Sequence, residues 1–331
     1  MSGERIRVGL AGLGYWGPNL ARNFDELPDA KLAWICDLDD ERRARYGPRF
    51  PNATATARLD DLLEDEALDA IVIATPVATH ADLARQALNA GKHVFVEKPI
   101  ALTAADAEEV SALAEERGLA LMPGHLLLYH PAVRALKEIV ASGDLGHLLV
   151  IYGNRQNHGK IRRDENVLWS LGAHDLSVIL DLVGEEPDEV VAYGESFLTP
   201  GVEDVVFCYL RFPSGVVGHM HLSWLDPHKM RKLTVVGDQK MAVFDDMESY
   251  RKITVYDKWP EGPTDTYAEW VARSGDIWSP KIANDEPLRI ECAHFLSLVR
   301  GEADSAPART NGLAVVRVLE ELQRSLERER V

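Results

Sequence analysis

Three glycines at a fixed spacing, directly after an apolar run, constrain the fold of this chain more than any other feature. The run Ile6–Ala11 has the composition of a buried strand, and Gly12, Gly14 and Gly17 follow it in the pattern G-x-G-x-x-G. In such a turn the first glycine permits a tight bend and the second lets the backbone approach a pyrophosphate. The third lets the following helix pack closely on the strand. The pattern therefore predicts a strand–helix unit that binds a dinucleotide.

An acidic residue at the end of the next strand-like run supports this prediction. Asp37 lies 20 residues after the third glycine, where a carboxylate can accept a hydrogen bond from an adenosine ribose 2′-hydroxyl. Because the same carboxylate would repel a 2′-phosphate, we expect NAD rather than NADP. Arg42 and Arg43 either soften that preference or lie on an exposed helix face. Tyr15 and Trp16, inside the glycine turn, are expected to border the same cofactor.

The order of strand-like and helix-like segments predicts two domains. These segments alternate over residues 5–122, which predicts a parallel sheet covered on both faces. Consecutive strand-like runs after residue 123 predict a mostly antiparallel, open sheet. We therefore expect an α/β fold, with a Rossmann NAD-binding domain at 1–122 and an α+β domain at 123–331 for substrate binding and oligomerisation. The last helices are also able to pack back on the first domain.

Two further expectations concern the second domain. Residues 257–286 are rich in Pro, Gly and Asp, which predicts an irregular surface segment. A large open sheet needs cover on its free face, and this favours a homodimer or a homotetramer.

Composition and charge exclude several classes of function. Lys and Arg number 36 and Asp and Glu 53, and the formal net charge of −17 repels nucleic acid and anionic membranes. No apolar run approaches the roughly 18 residues of a membrane span, and no apolar leader segment is evident. Cys36, Cys208 and Cys292 are too widely spaced for a disulfide framework or a zinc site. We expect a cytoplasmic protein without a metal, a nucleic-acid partner or a membrane partner.

Polar residues follow the third predicted strand of the parallel sheet. Ala74, Thr75 and Pro76 come directly after an apolar run, at the sheet edge that lines a cofactor crevice. His80 is either a further cofactor neighbour or a residue satisfied locally at the start of the next helix. All four are predicted cofactor contacts.

The strongest single candidate for chemistry is Lys98, in the segment Glu97-Lys98-Pro99 after the fourth predicted strand. The proline biases Lys98 towards an extended conformation, so that its side chain can project from the strand end into the crevice. A partly desolvated lysine exchanges protons near neutrality more readily than an exposed one. The alternative is an ordinary surface lysine. Glu97, its neighbour, points to the opposite side and has a different partner.

A histidine within an otherwise apolar helix is the second candidate. His174 suits proton abstraction from a hydroxyl because an imidazole titrates near working pH, although a lone helical histidine is more often structural. A basic run at 155–163 precedes this helix, and it is either a solvated surface loop or a site for an anionic substrate. Its four cations are Arg155, Lys160, Arg162 and Arg163.

Four motifs together resemble the glucose–fructose oxidoreductase and inositol dehydrogenase family (Gfo/Idh/MocA), over nearly the whole chain. They are Gly12-x-Gly14-x-x-Gly17, Ala74-Thr75-Pro76, Glu97-Lys98-Pro99 and Gly172-x-His174. The resemblance implies oxidation or reduction of sugar and cyclitol hydroxyls with a nicotinamide cofactor. It also implies that Lys98 and His174 handle the proton and that Glu97 lies with the cofactor residues. Many members carry an aspartate four residues before the catalytic histidine, but Ser170 stands there and cannot act as a charged relay.

Within that family, residues 14–20, 169–175, 201–204 and 223–229 are similar to those of nucleotide-sugar 3-dehydrogenases. The similarity implies oxidation at C3 of UDP-N-acetylglucosamine or its uronic acid to a 3-keto sugar. A diphosphate on a chain of charge −17 needs local cations, and we expect one or two of the basic run, with Arg155 and Arg162 foremost. The remaining predicted substrate residues are Tyr152, Asn157 and Asp175.

Other functions stay open at this point. One alternative is an inositol or free-sugar dehydrogenase, and another is a 3-ketosugar reductase that works in the opposite direction. A non-catalytic NAD-binding sensor is a third, and Ser170 is the feature that favours it.

Overall fold

A computed structural model describes residues 5–159, 161–163, 165–262 and 271–328. The chain divides into two compact units, the first made of Met1–Tyr129 and Asp285–Arg317 and the second of His130–Asn284 and Val318–Val331. The first boundary therefore follows residue 129 rather than the predicted residue 122. The segment 285–317 belongs to the first unit, onto which the last helices were expected to be able to pack back.

The first unit is built on a six-stranded parallel sheet with strand order β3-β2-β1-β4-β5-β6. The strands are β1 (Ile6–Ala11), β2 (Ala30–Cys36), β3 (Thr54–Thr56), β4 (Ala70–Ile73), β5 (His93–Glu97) and β6 (Leu121–Gly124). The helices are α1 (Gly17–Glu26), α2 (Asp40–Tyr46), α3 (Asp60–Leu63), α4 (His80–Asn89), α5 (Ala104–Arg117) and α8 (Pro287–Val299). This strand order is that of the Rossmann fold, and it reverses direction between β1 and β4, where such sheets bind ligands.

Helix α8 lies in the first unit because its aromatic residue completes a core cluster. The rings of Phe24, Phe95 and Phe295 pack edge to face, with centroids 5.7–6.4 Å apart. All three side chains are fully buried. Such burial of aromatic surface dominates core energetics, and it draws a helix distant in sequence onto the sheet.

The second unit is built on an eight-stranded sheet, β14-β13-β12-β11-β7-β10-β9-β8, in which only the pair β7 and β10 is parallel among the described strands. The strands are β7 (Leu148–Gln156), β8 (Glu189–Glu195), β9 (Val205–Arg211), β10 (Val217–Ser223), β11 (Met230–Gly237), β12 (Met241–Asp245), β13 (Ile253–Glu261) and β14 (Val271–Trp278). The helices are α6 (Pro131–Ala141) and α7 (Ala173–Val183), and the long C-terminal helix α9 (Ala306–Arg328) is divided between the two units at residue 317.

One face of this sheet is covered and the other is open. Along β9, Val206, Cys208 and Leu210 are buried, whereas Phe207 and Tyr209 on the other face are 52% and 39% exposed. The alternation is that of a sheet with one buried face. The predicted α/β fold with an open, mostly antiparallel second sheet is confirmed.

The prediction of an irregular segment at 257–286 is wrong where β13 and β14 run. These strands pair with each other, and β13 also pairs with β12. Across this pairing Arg273 donates to the carboxylate of Asp257 at 2.7 Å. Backbone pairing with a neighbouring strand thus overrides a polar composition that by itself favours a loop.

Within the described ranges, none of the helices combines the length and the apolar composition needed to cross a membrane.

Candidate active site

In the glycine turn between β1 and α1, backbone contacts leave no room for side chains at Gly12 and Gly17. Gly12 has φ = +101°, and a Cβ atom there would lie 2.6 Å from the carbonyl group of Ala74, which follows β4. A Cβ atom on Gly17 would overlap the carbonyl oxygen of Gly12. Gly14 differs, because a Cβ atom there would have Arg42 Nη1 as its nearest described neighbour, at 3.9 Å. The space above Gly14 fits the approach of a pyrophosphate.

Asp37 follows β2 directly and is held in place by the glycine turn. Its Oδ2 accepts the N–H of Leu13 at 2.6 Å, and its Oδ1 accepts the N–H of Asp39 at 2.9 Å. Arg42 reaches the same Oδ2 at 3.4 Å. A carboxylate has about four acceptor positions, so Asp37 retains acceptor capacity for a ribose hydroxyl. The glycine turn and this acid together fit the dinucleotide that the sequence predicts.

The residues after β4, which are predicted cofactor contacts, differ in how exposed they are. Ala74 and Thr75 are half-buried and Pro76 is exposed at the carboxyl end of the sheet. The Thr75 hydroxyl lies 2.8 Å from that of Thr79. Tyr15 is 83% exposed in the glycine turn, and Trp16 is half-buried beside it.

His80 is not placed as a cofactor contact. It is buried, with Nε2 2.9 Å from the carbonyl oxygen of Thr75 and Nδ1 2.8 Å from that of Pro99. Burial lowers the pKa of His80, and the two carbonyl groups oppose that shift. The side chain thereby links the segment after β4 to the segment after β5. Of the two expectations for His80, a residue satisfied by local partners describes it better than a cofactor neighbour.

Lys98 lies directly after β5, half-buried at the carboxyl end of the sheet, and its peptide bond to Pro99 is cis. Glu97, the last residue of β5, is only 7% exposed. Burial raises the pKa of Glu97 to about 7, although the charge of Lys98 opposes the rise. Glu97 is therefore a buried acid next to Lys98 in sequence, and its contact with the cofactor stays a prediction.

The sequence analysis missed His125, which follows β6 next to the Glu97 strand. Neither ring nitrogen has a hydrogen-bond partner in the described part of the chain, and the side chain is 3% exposed. Burial, together with the charge of Lys98, lowers the pKa of His125 to about 3, so the imidazole is neutral. The one signal in the sequence was the position of His125 directly after the apolar run that forms β6.

In the second unit, His174 lies in the first turn of α7, after a π-helical turn at Leu168–Gly172 that contains Ser170. Arg155 on β7 donates to Oδ1 of Asp175 from Nε at 3.0 Å and from Nη2 at 2.6 Å. Both side chains are about 5% exposed. This buried ion pair anchors the start of α7 on β7, next to His174.

The ion pair corrects two predicted substrate contacts. Arg155 does not lie in a surface loop and its charge is matched by Asp175, so neither of them is placed to clamp a diphosphate. Removal of one partner from such a pair leaves an uncompensated buried charge, at a cost of about 3–5 kcal/mol. Their placement indicates a structural role.

The side chain of Tyr152 on β7 points in a direction that does not fit its predicted contact with the substrate. Gly153 and Arg155 face Asp175 on α7, so Tyr152 points to the opposite, open face of the sheet. There its ring stacks on His219, with centroids 4.9 Å apart. Tyr152 is therefore remote from the sheet face that carries His174.

The rest of the basic run is more accessible. Asn157 is half-buried just after β7, and its Oδ1 has no hydrogen-bond partner within the described residues. Arg162 is half-buried and pairs with Glu165 at 3.0 Å, and Arg163 is exposed. Lys160 lies outside the described residues.

Comparison with known proteins identifies the family. The family model described as "Oxidoreductase family, NAD-binding Rossmann fold" matches residues 6–125, and "GFO/IDH/MocA C-terminal domain" matches residues 133–243. These two ranges cover more than half of the chain. The chain belongs to the Gfo/Idh/MocA family.

Curated relatives and a solved structure agree with this membership in the Gfo/Idh/MocA family. UDP-N-acetylglucosamine 3-dehydrogenase of Acidithiobacillus ferrooxidans is 29% identical over 241 residues, which are 72% of this chain and 74% of that protein. The scyllo-inositol 2-dehydrogenase (NAD(+)) of Bacillus subtilis is 26% identical over 236 residues, 68% of this chain and 69% of that protein. GenD2 from gentamicin A biosynthesis, solved in complex with NAD, matches with a TM-score of 0.84 at 25% identity and covers 100% of this chain and 96% of that one.

As a member of the Gfo/Idh/MocA family, the chain is an NAD-binding oxidoreductase that acts on CH–OH groups, and the predicted enzyme class and cofactor are confirmed. The residues that would hold the cofactor are those of the glycine turn together with Asp37. When bound, NAD supplies the hydride acceptor.

The open space at Gly14 yields a sharp test of the cofactor site. Gly14→Ala should weaken NAD binding by about tenfold or more, because the added methyl group occupies space needed by the pyrophosphate. The melting temperature should stay unchanged, since the protein itself leaves that space open. Binding is measured by isothermal titration calorimetry and melting by scanning calorimetry.

The matched control is Gly47→Ala, where the nearest atom to the added Cβ is also 3.9 Å away but lies outside the glycine turn. This control should bind NAD normally. Equal affinity in the Gly14 and Gly47 variants would contradict the assigned pyrophosphate position.

Proposed function

We propose that this protein oxidises a secondary hydroxyl of a sugar with NAD, and that the hydroxyl is C3 of a UDP-N-acetylhexosamine. The observation that carries the proposal is Lys98, half-buried at the carboxyl end of β5 on the edge where a Rossmann sheet binds its ligands. The similarity to UDP-N-acetylglucosamine 3-dehydrogenase supports the substrate. The similarity to an inositol dehydrogenase makes a cyclitol the second candidate.

The proton chemistry is assigned to Lys98 and His174 together. One of them removes the hydroxyl proton, and the other stabilises the oxygen as it becomes a carbonyl. His174 is half-buried at the start of α7, which Arg155 and Asp175 hold on β7. Because Ser170 carries no charge, no carboxylate relay four residues before His174 assists in this transfer.

The diphosphate of a nucleotide sugar needs cations that are free to bind it. With Arg155 committed to Asp175, the accessible cations of the basic run in the described ranges are Arg162 and Arg163. The pair of Arg162 with Glu165 is partly exposed, and such pairs contribute only about 0–1 kcal/mol. Exchange of Glu165 for a diphosphate therefore costs little, and we assign the clamp to Arg162, with Asn157 as a second candidate contact.

The open face of the second sheet is proposed as a contact between copies of this chain. Tyr193, Phe207 and His221 lie in register across β8, β9 and β10, and the Phe207 and His221 rings stack with centroids 4.3 Å apart. Tyr193 is 56% exposed. A contiguous exposed aromatic row on an open sheet is typical of a symmetric interface.

Replacement of Lys98 tests the chemistry. Lys98→Ala should lower kcat about 100-fold or more while the dissociation constant of NAD stays within about twofold, because a general acid–base group is lost. Lys98→Arg should be equally slow, since a guanidinium keeps the charge but does not release a proton. Initial rates of NADH formation and calorimetric NAD titration measure both quantities. Full activity of Lys98→Arg would show that only the positive charge is needed.

A substrate panel tests the sugar and the clamp. NADH formation is compared for UDP-N-acetylglucosamine, its uronic acid, myo-inositol and glucose. Arg162→Glu should raise KM for the nucleotide sugars by about tenfold or more, equivalent to about 1.4 kcal/mol, and leave KM for any free sugar unchanged. The control is Arg251→Glu, an exposed arginine outside the basic run. Turnover of myo-inositol alone would replace the proposed substrate with the cyclitol.

The sheet-face contact predicts a change of mass. Phe207→Glu should convert the oligomer to a monomer in light scattering after gel filtration, because it places a charge in an apolar contact. Tyr250→Glu, at a residue that is 93% exposed outside the sheet, should leave the mass unchanged. A wild-type chain that is monomeric at micromolar concentration would contradict the proposed interface.

A further inference from the structure

Two glutamates from distant parts of the chain are buried in the first unit. Phe95 on β5 and Phe295 on α8 contact each other, with ring centroids 5.7 Å apart. Glu97 lies two residues after Phe95, on the same side of the strand, and Glu291 lies one helical turn before Phe295. The two acids are 7% and 1% exposed. The contact between the two rings brings β5 and α8 together, and the charge of Glu97 acts on Glu291.

Among the described residues, the groups around this pair include only one cation close to the acids. Lys98 follows Glu97 directly and acts on its charge, and the neutral His125 follows the neighbouring strand. On α8 the next residue is the buried thiol of Cys292, and the Glu286–Arg22 ion pair lies at the half-exposed start of that helix. Oε1 of Glu291 accepts no hydrogen bond from any described residue.

Electrostatics prevents both acids from being ionised together. Burial raises the pKa of Glu97 to about 7, and burial together with the charge of Glu97 raises the pKa of Glu291 well above its usual range. Two carboxylates in one apolar site repel each other, and in such pairs one proton is held far above the usual pKa. The attraction of Lys98 compensates for one negative charge.

We propose that Glu97 and Glu291 form a buried acid pair that shares one proton at neutral pH, and that Glu291 is a positioning residue which acts through Glu97 on the Lys98 amine. With one shared proton the pair presents a single negative charge to the lysine. A fully ionised pair would present two charges and would hold the ammonium group against the release of its proton. The second half of this inference rests on the proposed function of Lys98, whereas the first half does not.

The shared proton is tested without substrate or cofactor. In protein labelled with ¹³C at the glutamate side-chain carboxyl, one carboxyl signal should still titrate at or above about pH 7, far from the other glutamates. Glu291→Gln should remove the higher of the late titrations, which belongs to Glu291, and leave only the titration that burial gives Glu97 near pH 7. The matched control is Glu302→Gln, an exposed acid just after α8, which should leave the late titrations unchanged. Complete ionisation of all glutamates by pH 6 in the wild-type protein would overturn the proposal, even if the variants failed to fold.

The shared proton should also affect how the free energy of unfolding depends on pH. A carboxyl whose pKa is raised on folding binds more protons in the folded than in the unfolded chain above about pH 4.3, so the free energy of unfolding falls as pH rises towards 7. Glu291→Gln should make this fall less steep, by up to about one bound proton. Equal slopes for wild type, Glu291→Gln and Glu302→Gln would contradict the pair.

The action on Lys98 has its own measurement. In Glu291→Gln the negative charge is confined to Glu97, next to the lysine, so the ionisation seen in the pH profile of kcat/KM should move up by about one unit. KM should change less than about twofold, because no substrate contact is lost. A shared proton with an unmoved pH profile would leave the acid pair in place and refute its influence on the lysine. Absence of NADH formation by the wild-type protein with every sugar of the panel would instead contradict the proposed function.

Discussion

The close approach of the β1–α1 turn to the end of β4 is the constraint on which the first unit depends. Backbone of Gly12 packs against the carbonyl group of Ala74, and α1 begins against Gly12 itself, with no space for a methyl group at Gly17. These contacts align the N-terminal amides of α1 with the carboxyl edge of the sheet, where an anion is favoured by unpaired N–H groups. The same turn holds Asp37 through the N–H of Leu13. The space for the cofactor therefore depends on the absence of side chains at the glycines of the turn.

Buried charge organises the rest of the chemistry, and its role depends on how it is compensated. Arg155 and Asp175 are buried to the same extent and joined by two hydrogen bonds, so they neutralise each other and serve as an anchor for α7. Glu97 and Glu291 are also buried but have like charge, and the charge of Lys98 stabilises the ionised form of Glu97. The first arrangement neutralises two charges, whereas we propose that the second retains a proton close to the Lys98 amine.

Regular elements were predictable where a local pattern carried the information. The bounds of β1 agree residue for residue with the run Ile6–Ala11 that the sequence predicts as a strand, because continuous apolar character is a local signal. Local signals also mark α5, which has Thr103 as its N-cap and Gly118 at its end, and the turn at Gly215, where φ is +88°. In contrast, β13 and β14 have no clear periodicity, and their pairing with neighbouring strands supplies the stabilisation that composition does not reveal.

Sequence alone was sufficient for the dinucleotide turn, the acid after β2 and the lysine after β5, because each lies at a fixed spacing from a strand end. Only the tertiary structure paired Arg155 with Asp175 and directed Tyr152 to the open face of the sheet. It also placed His80 between two carbonyl groups and buried Glu291 where the charge of Glu97 acts on it. Those outcomes depend on which residues meet across elements, and periodicity along a chain does not reveal which residues of other elements become partners. The lone acid on the apolar face of α8 was the one visible sign, and its meaning required the strand that it faces.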